Sequence, residues 1–194
     1  MSNPALVAKL DDQEETEQVR HYVVRALGRT HHPDALHVLS LLLQDRHVGA
    51  QYRADAALAL GVLGDSGCVA PLVEALHDKE DSVRALAATG LGLLGEDRAV
   101  VPLLAVLVDV DEYVRICALS ALGAIGDRRA VEPLGRILRG HVSATEYERE
   151  QAARALGIIG GEDAHGVLST VDQDDVPETV RKQIEKALVR FPRR

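Results

Sequence analysis

Histidine and cysteine are the side chains here whose chemistry suits metal binding or nucleophilic attack. Three of the eight histidines cluster at His31, His32 and His37. No cysteine or paired carboxylate stands beside them at metal-ligand spacing, so the sequence favours a solvated helix start over a metal site. Cys117 has no basic partner that the sequence identifies, and it is interpreted as a small apolar side chain. The sequence therefore predicts no catalytic residue, no metal site and no cofactor.

A glycine-rich run, GLGLLG at 90–95, has the composition of a phosphate-binding loop. Such a loop follows a β-strand and opens a helix. This run lies inside a helical pattern with no strand before it, so a dinucleotide site is excluded.

An arginine recurs along the chain at nearly constant spacing, which indicates an internal repeat. It stands at Arg20, Arg53, Arg84, Arg115, Arg149 and Arg181, in steps of 33, 31, 31, 34 and 32 residues. A glycine follows each of the first five by eight residues, at Gly28, Gly61, Gly92, Gly123 and Gly157. A period in this range predicts a solenoid of stacked units and not one globular core.

Composition restricts the possible partners and the compartment. Aromatic residues make up 3% of the chain, so Leu, Val, Ala and Ile must build the core. The net charge of −8 argues against nucleic acid and anionic membranes as partners. The first residues lack the pattern of a signal peptide, and no apolar run is long enough to cross a membrane. Cys68 and Cys117 fall in different repeats and are expected to be reduced, so the sequence predicts a cytoplasmic protein.

Each repeat is expected to hold two helices. A short first helix is centred on a Pro-Leu pair, and a second helix carries the arginine and ends in Leu-Gly-x-x-Gly. Gly64, Gly95 and Gly126 are expected to end second helices in the left-handed conformation. The predicted helices are 4–11, 15–29, 34–45, 49–63, 67–77, 81–95, 98–108, 112–126, 129–139, 145–160, 163–171 and 176–191.

An acidic residue often stands six positions before the arginine. The pairs are Glu14/Arg20, Asp78/Arg84, Asp109/Arg115 and Asp175/Arg181. Because the pair recurs in most repeats, it is interpreted as a structural ladder that ties turn to helix and repeat to repeat, and not as a catalytic arrangement.

The repeat resembles the HEAT-repeat superfamily, and more narrowly the short HEAT-like repeats first noted in phycobilisome lyases. The pattern Val-Arg-x-x-Ala-x-x-x-Leu-Gly-x-x-Gly-Asp is best preserved at 83–96 and 114–127; the first repeat lacks a glycine after Thr30, and Glu148 replaces valine in the fifth. The resemblance implies an all-α, right-handed α-solenoid of about six helix pairs, forming a single domain over residues 1–194. Its members include interaction scaffolds, bilin lyase subunits, a di-iron hydroxylase and DNA glycosylases. The hydroxylase's His-Glu dipeptides are absent here, and the glycosylase branch is disfavoured because the chain is acidic and lacks Trp.

The candidate binding surface is the third stripe, defined as the positions −2, +2, +5 and +9 from each arginine. In HEAT-like arrays the second helices line the concave face, which is what the resemblance implies. Three of the four tyrosines fall on the third stripe, and its formal charge is +4 against −12 for the rest of the chain. The predicted partner-binding residues are Tyr22, Arg25, Arg29, Leu58, Leu86, Thr89, Tyr113, Cys117, Ser120, Tyr147 and Arg154.

These features favour a non-enzymatic scaffold that holds a helix or extended segment of a partner protein, with acidic ends, in its concave groove. An alternative is a bilin lyase-type or chaperone-like protein that handles a tetrapyrrole, with arginines pairing its propionates. A third is an enzyme that uses Cys117 or the histidines.

Overall fold

The computed structural model describes residues 16–30 and 34–190, which form eleven α-helices and no β-strand. Their bounds are α1 (Glu17–Leu27), α2 (Ala35–Gln44), α3 (Ala50–Leu63), α4 (Val69–Ala75), α5 (Asp81–Leu94), α6 (Val100–Val106), α7 (Glu112–Ile125), α8 (Val131–Leu138), α9 (Glu146–Ile159), α10 (Gly161–Ser169) and α11 (Glu178–Val189). Eleven of the twelve predicted helices are therefore confirmed, with every end within two residues of expectation. The remaining one, at 4–11, lies outside the described residues. The odd-numbered helices are the second helices that carry the arginines.

Glycine ends three of the second helices in the predicted left-handed conformation. The φ angles are 74° at Gly64, 69° at Gly95 and 77° at Gly126. The acid that follows then caps the next turn: the Asp65 carboxylate accepts the N–H of Gly67 at 2.7 Å, and Asp127 accepts that of Arg129 at 2.8 Å. Glycine and acid together make the sharp reversal between repeats.

The core is aliphatic, as the composition predicts. Its most regular members are the leucines seven residues after each of the first five arginines, all fully buried: Leu27, Leu60, Leu91, Leu122 and Leu156. On α5, Val83 and Ala87 are buried with Leu91, while Leu94 is half-buried at the helix end. The helical period of α5 thus places one stripe of its side chains in the core.

Neighbouring second helices touch through small residues. The glycine eight positions after an arginine faces the residue six positions after the next arginine, in the pairs Gly28–Ala59, Gly61–Gly90, Gly123–Ala155 and Gly157–Ala187. A Cβ built on Gly157 would lie 2.6 Å from the Ala187 Cβ. The recurring glycine is therefore a packing requirement, as its repetition predicts.

The chain divides into two compact units, an N-terminal unit from Met1 to Glu96 and a C-terminal unit from Asp97 to Arg194. The N-terminal unit contains α1–α5 and the C-terminal unit contains α6–α11. Among the described residues, none of the helices combines the length and apolar character needed to cross a membrane.

Candidate functional site

The recurring arginine ties each second helix to the turn before it. Nη1 of Arg84 donates to the backbone carbonyl of Asp78 at 2.9 Å, and Nη1 of Arg115 donates to that of Asp109 at 2.7 Å. The predicted turn-to-helix contact is thus present, but it uses a carbonyl where the sequence suggested a carboxylate. Carbonyls at the end of a helix lack intrahelical partners, and a nearby arginine satisfies them.

The carboxylate of Asp78 binds the arginine of the preceding repeat. Arg53 donates from Nε at 3.1 Å and from Nη2 at 3.0 Å, and both residues are at most 3% exposed. Arg46 also contacts this carboxylate from the surface. Burial alone would raise the pKa of Asp78, but hydrogen bonds from Arg53 and the Glu80 N–H, with the two positive charges, leave it below its usual value. The ladder between repeats is a buried structural contact.

Glu148, which departs from the repeat pattern, takes the equivalent role in the C-terminal unit. The turn residue six positions before Arg149 is Ser143, so the fifth repeat lacks the turn acid. The buried Glu148 carboxylate instead accepts Nε of Arg115 at 2.5 Å and the N–H of Thr145 at 2.6 Å, which closes a capping box at the start of α9. Burial would raise the pKa of Glu148, but these hydrogen bonds and the Arg115 charge outweigh it and lower the pKa.

The two terminal arginines differ from the others. Glu14, the expected partner of Arg20, lies outside the described residues. Within the described part of the chain, Nε of Arg20 and Nε of Arg181 are buried without a hydrogen-bond partner.

In the N-terminal unit the third stripe is largely accessible. Tyr22 is 71% exposed, and Leu93 at the end of α5 is 56% exposed. Of the other predicted residues in this unit, Arg25 and Arg29 are exposed. Leu58, Leu86 and Thr89 are half-buried. The Thr89 hydroxyl donates to the Ala85 carbonyl at 2.9 Å, so it is already satisfied within its own helix.

Asp55 lies on the third stripe by spacing but is buried, at 2% exposure. Its carboxylate lies 2.5 Å from Nδ1 of His21 and accepts Nε and Nη2 of Arg25 at 3.3 and 3.2 Å. The His21 ring also stacks on Tyr52, with ring centroids 4.0 Å apart. The exposed Arg25 and the buried Asp55 therefore neutralise each other, which limits what Arg25 offers a partner.

In the C-terminal unit the two tyrosines stand side by side on α7 and α9. Tyr113 is 60% exposed, Tyr147 is 51% exposed, and Ser120 and Arg154 are exposed as well. Cys117 is only 8% exposed and lies one turn from Tyr113, so it contributes little surface. The nearby Cys117 thiol, partial burial and a hydrogen bond with that thiol raise the pKa of Tyr113.

A second feature of this unit is a cavity of about 290 Å³ between α9 and α11, here called the basic pocket. Its polar lining consists of Glu150, Gln151, Arg154, Gln183, Lys186 and Arg190. Arg154 therefore lies in a cluster with Lys186 and Arg190. The sequence places these three cations near one end of the third stripe.

The residues suited to metal or nucleophilic chemistry do not form a site in the described ranges. His31 and His32 fall outside those ranges, and His37 is exposed on α2. Over residues 16–30 and 34–190, no group of three or more His, Cys, Asp or Glu side chains could hold a metal ion. Neither Cys68 nor Cys117 forms a disulfide, as predicted; both are buried, and burial raises the pKa of Cys68 to about 11.

Sequence comparison decides the family. The family model for HEAT repeats matches residues 3–84, 49–115, 69–145 and 102–189 in overlapping segments. The chain belongs to the HEAT-repeat family. The predicted α-solenoid is thereby confirmed. No curated protein matches this HEAT-repeat chain.

Solved structures of similar fold are designed and natural solenoids. A designed armadillo repeat protein in complex with the peptide (KR)4 is 21% identical, with a TM-score of 0.66, covering 99% of this chain and 100% of that one. The complex of CpcE and CpcF of phycocyanin lyase from Nostoc sp. PCC7120 is 22% identical, with a TM-score of 0.59, covering 97% of this chain and 87% of that one. Human deoxyhypusine hydroxylase in complex with glycerol is 21% identical, with a TM-score of 0.56, covering 97% and 83%. At these identities the likeness shows the fold alone.

A further cavity in this HEAT-repeat chain was missed by sequence reasoning. It measures about 560 Å³ in the C-terminal unit and is lined by Leu104, Ile137, Val142 and Arg136, beside the Arg115–Glu148 contact. The segment between α8 and α9 spans seven residues, whereas the corresponding segment between α6 and α7 spans five. The 34-residue step between Arg115 and Arg149 was the available signal, since the previous step is 31.

Proposed function

We propose that this HEAT-repeat chain is a non-enzymatic scaffold that binds a segment of a partner protein along the third stripe of its second helices. The observation that carries the proposal is the exposure of large side chains there. Tyr22, Tyr113 and Tyr147 are each more than half exposed, and so is Leu93. Tyrosine anchors protein interfaces well, because it combines a large apolar ring with a hydroxyl at little entropic cost.

The close packing of the second helices supports this role. Gly61 on Gly90, and Gly157 on Ala187, hold adjacent second helices at contact distance within their units. Side chains on such a layer keep their spacing when a partner binds, so less free energy is lost to ordering. Helices that approach through glycine also form the closely spaced layer of a stack, which suits the inner side that the family resemblance implies.

Charge favours an acidic partner segment. With Arg25 and Asp55 neutralising each other, the charges left on the third stripe are Arg29, Arg154, Lys186 and Arg190. The designed armadillo protein of similar fold holds the peptide (KR)4. Because the third stripe here is basic, we infer the opposite preference, for carboxylates on the partner.

Tetrapyrrole handling stays an alternative prediction. The phycocyanin lyase complex of CpcE and CpcF is similar to this chain at 22% identity, which carries the fold and not the activity. A titration of the purified chain with a free bilin separates the two proposals. The scaffold proposal expects an unchanged absorption spectrum, whereas a shifted, saturable spectrum at one bilin per chain would favour the alternative.

The scaffold proposal is tested with two leucines matched for exposure within the N-terminal unit. Leu93, on second helix α5, is 56% exposed, and Leu41, on first helix α2, is 54% exposed. The immobilised chain is first used to isolate a partner from the native host, and its affinity for wild type is measured by calorimetry. We expect Leu93→Asp to weaken binding about tenfold or more, because a charge enters the contact surface. Leu41→Asp should bind like wild type.

Equal binding by both variants, with helix content unchanged, would exclude the third stripe of α5 from the interface. A loss caused by Leu41→Asp alone would move the interface to the first helices. Either result overturns the proposed function.

A further inference from the structure

The basic pocket concentrates positive charge that nothing else in the described chain neutralises. Arg154 on α9, Lys186 on α11 and Arg190 directly after α11 line it, and all three are exposed. Ion pairs occur elsewhere on α11, as between Lys182 and Glu178 at 2.5 Å. None of the three pocket cations has an ion-pair partner among residues 16–30 and 34–190. With Glu150 as the one acid in the lining, the formal charge of the pocket is +2 on a chain of net charge −8.

Two glutamines make this pocket more than a charged surface. Gln151 is only 7% exposed, and it lines the pocket beside Arg154. Its amide makes no hydrogen bond to any described residue, and it is not among the buried side-chain groups left without a partner, so it is accessible from the pocket. The amide of Gln151 is therefore a donor and acceptor available to a bound group, and the half-buried Gln183 offers a second amide from α11.

The position of the pocket along its helices distinguishes between kinds of anion. Phosphate sites commonly use backbone N–H groups at helix N-termini. This pocket lies along the middle of α9 and the last turns of α11, where backbone N–H groups are bonded within the helices and the carbonyl end of α11 is near. Its donors are therefore side chains, and Glu150 adds repulsion that a dianion would feel most. Two singly charged carboxylates match both the donors and the +2 charge.

We propose that the basic pocket binds a pair of carboxylates from an acidic stretch of the partner protein, with Arg154, Lys186 and Arg190 as the cationic donors and Gln151 as the neutral donor. This inference rests on the proposed function, since it assigns the chemistry of one part of the same surface. It makes the C-terminal unit the part that selects acidic sequence.

The test uses the full chain and a fluorescein-labelled hexaglutamate peptide, with hexaglutamine as the matched neutral peptide. Fluorescence anisotropy at low salt should show saturable binding of the glutamate peptide only. Arg154→Glu should weaken it about tenfold or more, as expected for loss of a charge-assisted contact. Arg128→Glu makes the same change in net charge at an exposed site outside the pocket, and it should change the affinity less than about twofold, as for a screened distant charge.

Gln151→Leu separates a built site from general attraction, because it leaves every charge in place. We expect it to weaken hexaglutamate binding at least about threefold, since a hydrogen-bond donor to a carboxylate is removed. Equal effects of Arg154→Glu and Arg128→Glu would overturn the proposal, as would wild-type affinity in Gln151→Leu. Tighter binding of a phosphoserine peptide than of its glutamate counterpart, sensitive to the same variants, would overturn the assignment to carboxylates.

The two proposals fail in different experiments. If Leu93→Asp leaves native partner binding unchanged while the peptide still depends on Arg154 and Gln151, the third stripe of α5 is excluded and the pocket stands. If the native partner is lost with Leu93→Asp but the pocket variants bind hexaglutamate like wild type, the pocket assignment is wrong and the scaffold function stands.

Discussion

At the scale of the residue, the recurring arginine is a structural group whose contacts change from repeat to repeat. Arg84 and Arg115 both satisfy turn carbonyls, and Arg53 and Arg115 both reach a buried carboxylate in the following repeat. That carboxylate comes from the turn at Asp78 but from the helix at Glu148. A buried charge must be paired, so the loss of the turn acid in the fifth repeat is compensated by a carboxylate at a nearby position.

Replacing Arg53 by Ala should therefore be strongly destabilising. It leaves the buried carboxylate of Asp78 with the surface contact from Arg46 and the N–H of Glu80, and we expect a loss of about 2–4 kcal/mol in the free energy of unfolding. Urea unfolding followed by far-UV circular dichroism measures it. Adding Asp78→Asn to Arg53→Ala should recover part of the loss, because the stranded charge is removed.

The exposed Lys182–Glu178 pair is the control for that experiment. Lys182→Ala should leave the urea midpoint almost unchanged, since solvent screens an exposed ion pair. Equal midpoints for wild type and Arg53→Ala would show that the ladder contributes nothing to stability.

Glu148→Gln should reduce stability in a pH-dependent way. The folded-state pKa of Glu148 is lowered, so its contribution is complete above the unfolded-state pKa and is lost as the pH falls through the folded value. We expect a gap between wild type and variant of about 1–3 kcal/mol at pH 7 that narrows as the pH falls below the unfolded-state pKa of 4.5. Urea titrations across this range measure the gap. A gap that stayed constant with pH would contradict the charge-based account.

At the scale of the element, small residues decide how closely second helices pack. Position +8 of one repeat meets position +6 of the next, and both are Gly or Ala wherever the pair is described. Glycine inside a helix costs backbone entropy, so its recurrence requires compensation by close helix contact. The same contact sets the spacing of the tyrosines on α7 and α9.

Gly157→Ala tests this packing directly. The new methyl group would lie 2.6 Å from the Ala187 Cβ, so α9 and α11 must move apart, and we expect a loss of about 1–3 kcal/mol in unfolding free energy. Gly166, inside α10, is the matched control, because a Cβ there would meet nothing within 4 Å. Gly166→Ala should gain about 0.5–1 kcal/mol. Thermal unfolding of both variants measures these changes. Melting temperatures that shift in the same direction in both variants would refute the packing account.

At the scale of the whole molecule, the HEAT family makes stacked repeats the source of stability. In such arrays each repeat is stabilised by its own contacts and by those with its neighbours. The structure contains two compact units, and we propose that residues 1–194 nevertheless unfold as the single domain predicted from the repeat.

One cooperative transition is the expected outcome for the whole chain. Gly61→Ala lies in the N-terminal unit and Gly157→Ala in the C-terminal unit, so each variant perturbs one unit. In a single domain, both should shift the same urea transition, because stability is shared through neighbouring repeats. Two transitions, each sensitive to one variant, would show that the units unfold separately.

The sequence by itself determined the helices, their order and their small-residue contacts. Those features depend on spacing within one helix: Leu91 lies on the buried stripe and Gly95 at the helix end because of their positions relative to Arg84. The exposure of Tyr22, Tyr113 and Tyr147 follows from the same spacing, since the face of a second helix that packs neither on the core nor on a neighbouring second helix meets solvent.

Only the tertiary structure decided which side chains of different repeats meet. The sequence paired Asp78 with Arg84, six residues away, whereas the carboxylate of Asp78 binds Arg53. Asp55, which its spacing places on the third stripe, is buried and binds His21 and Arg25. The basic pocket likewise requires Gln151 on α9 to face Lys186 on α11. Periodicity places a residue on a face of its own helix, but rotamers and the register between helices bring long polar side chains within hydrogen-bond reach.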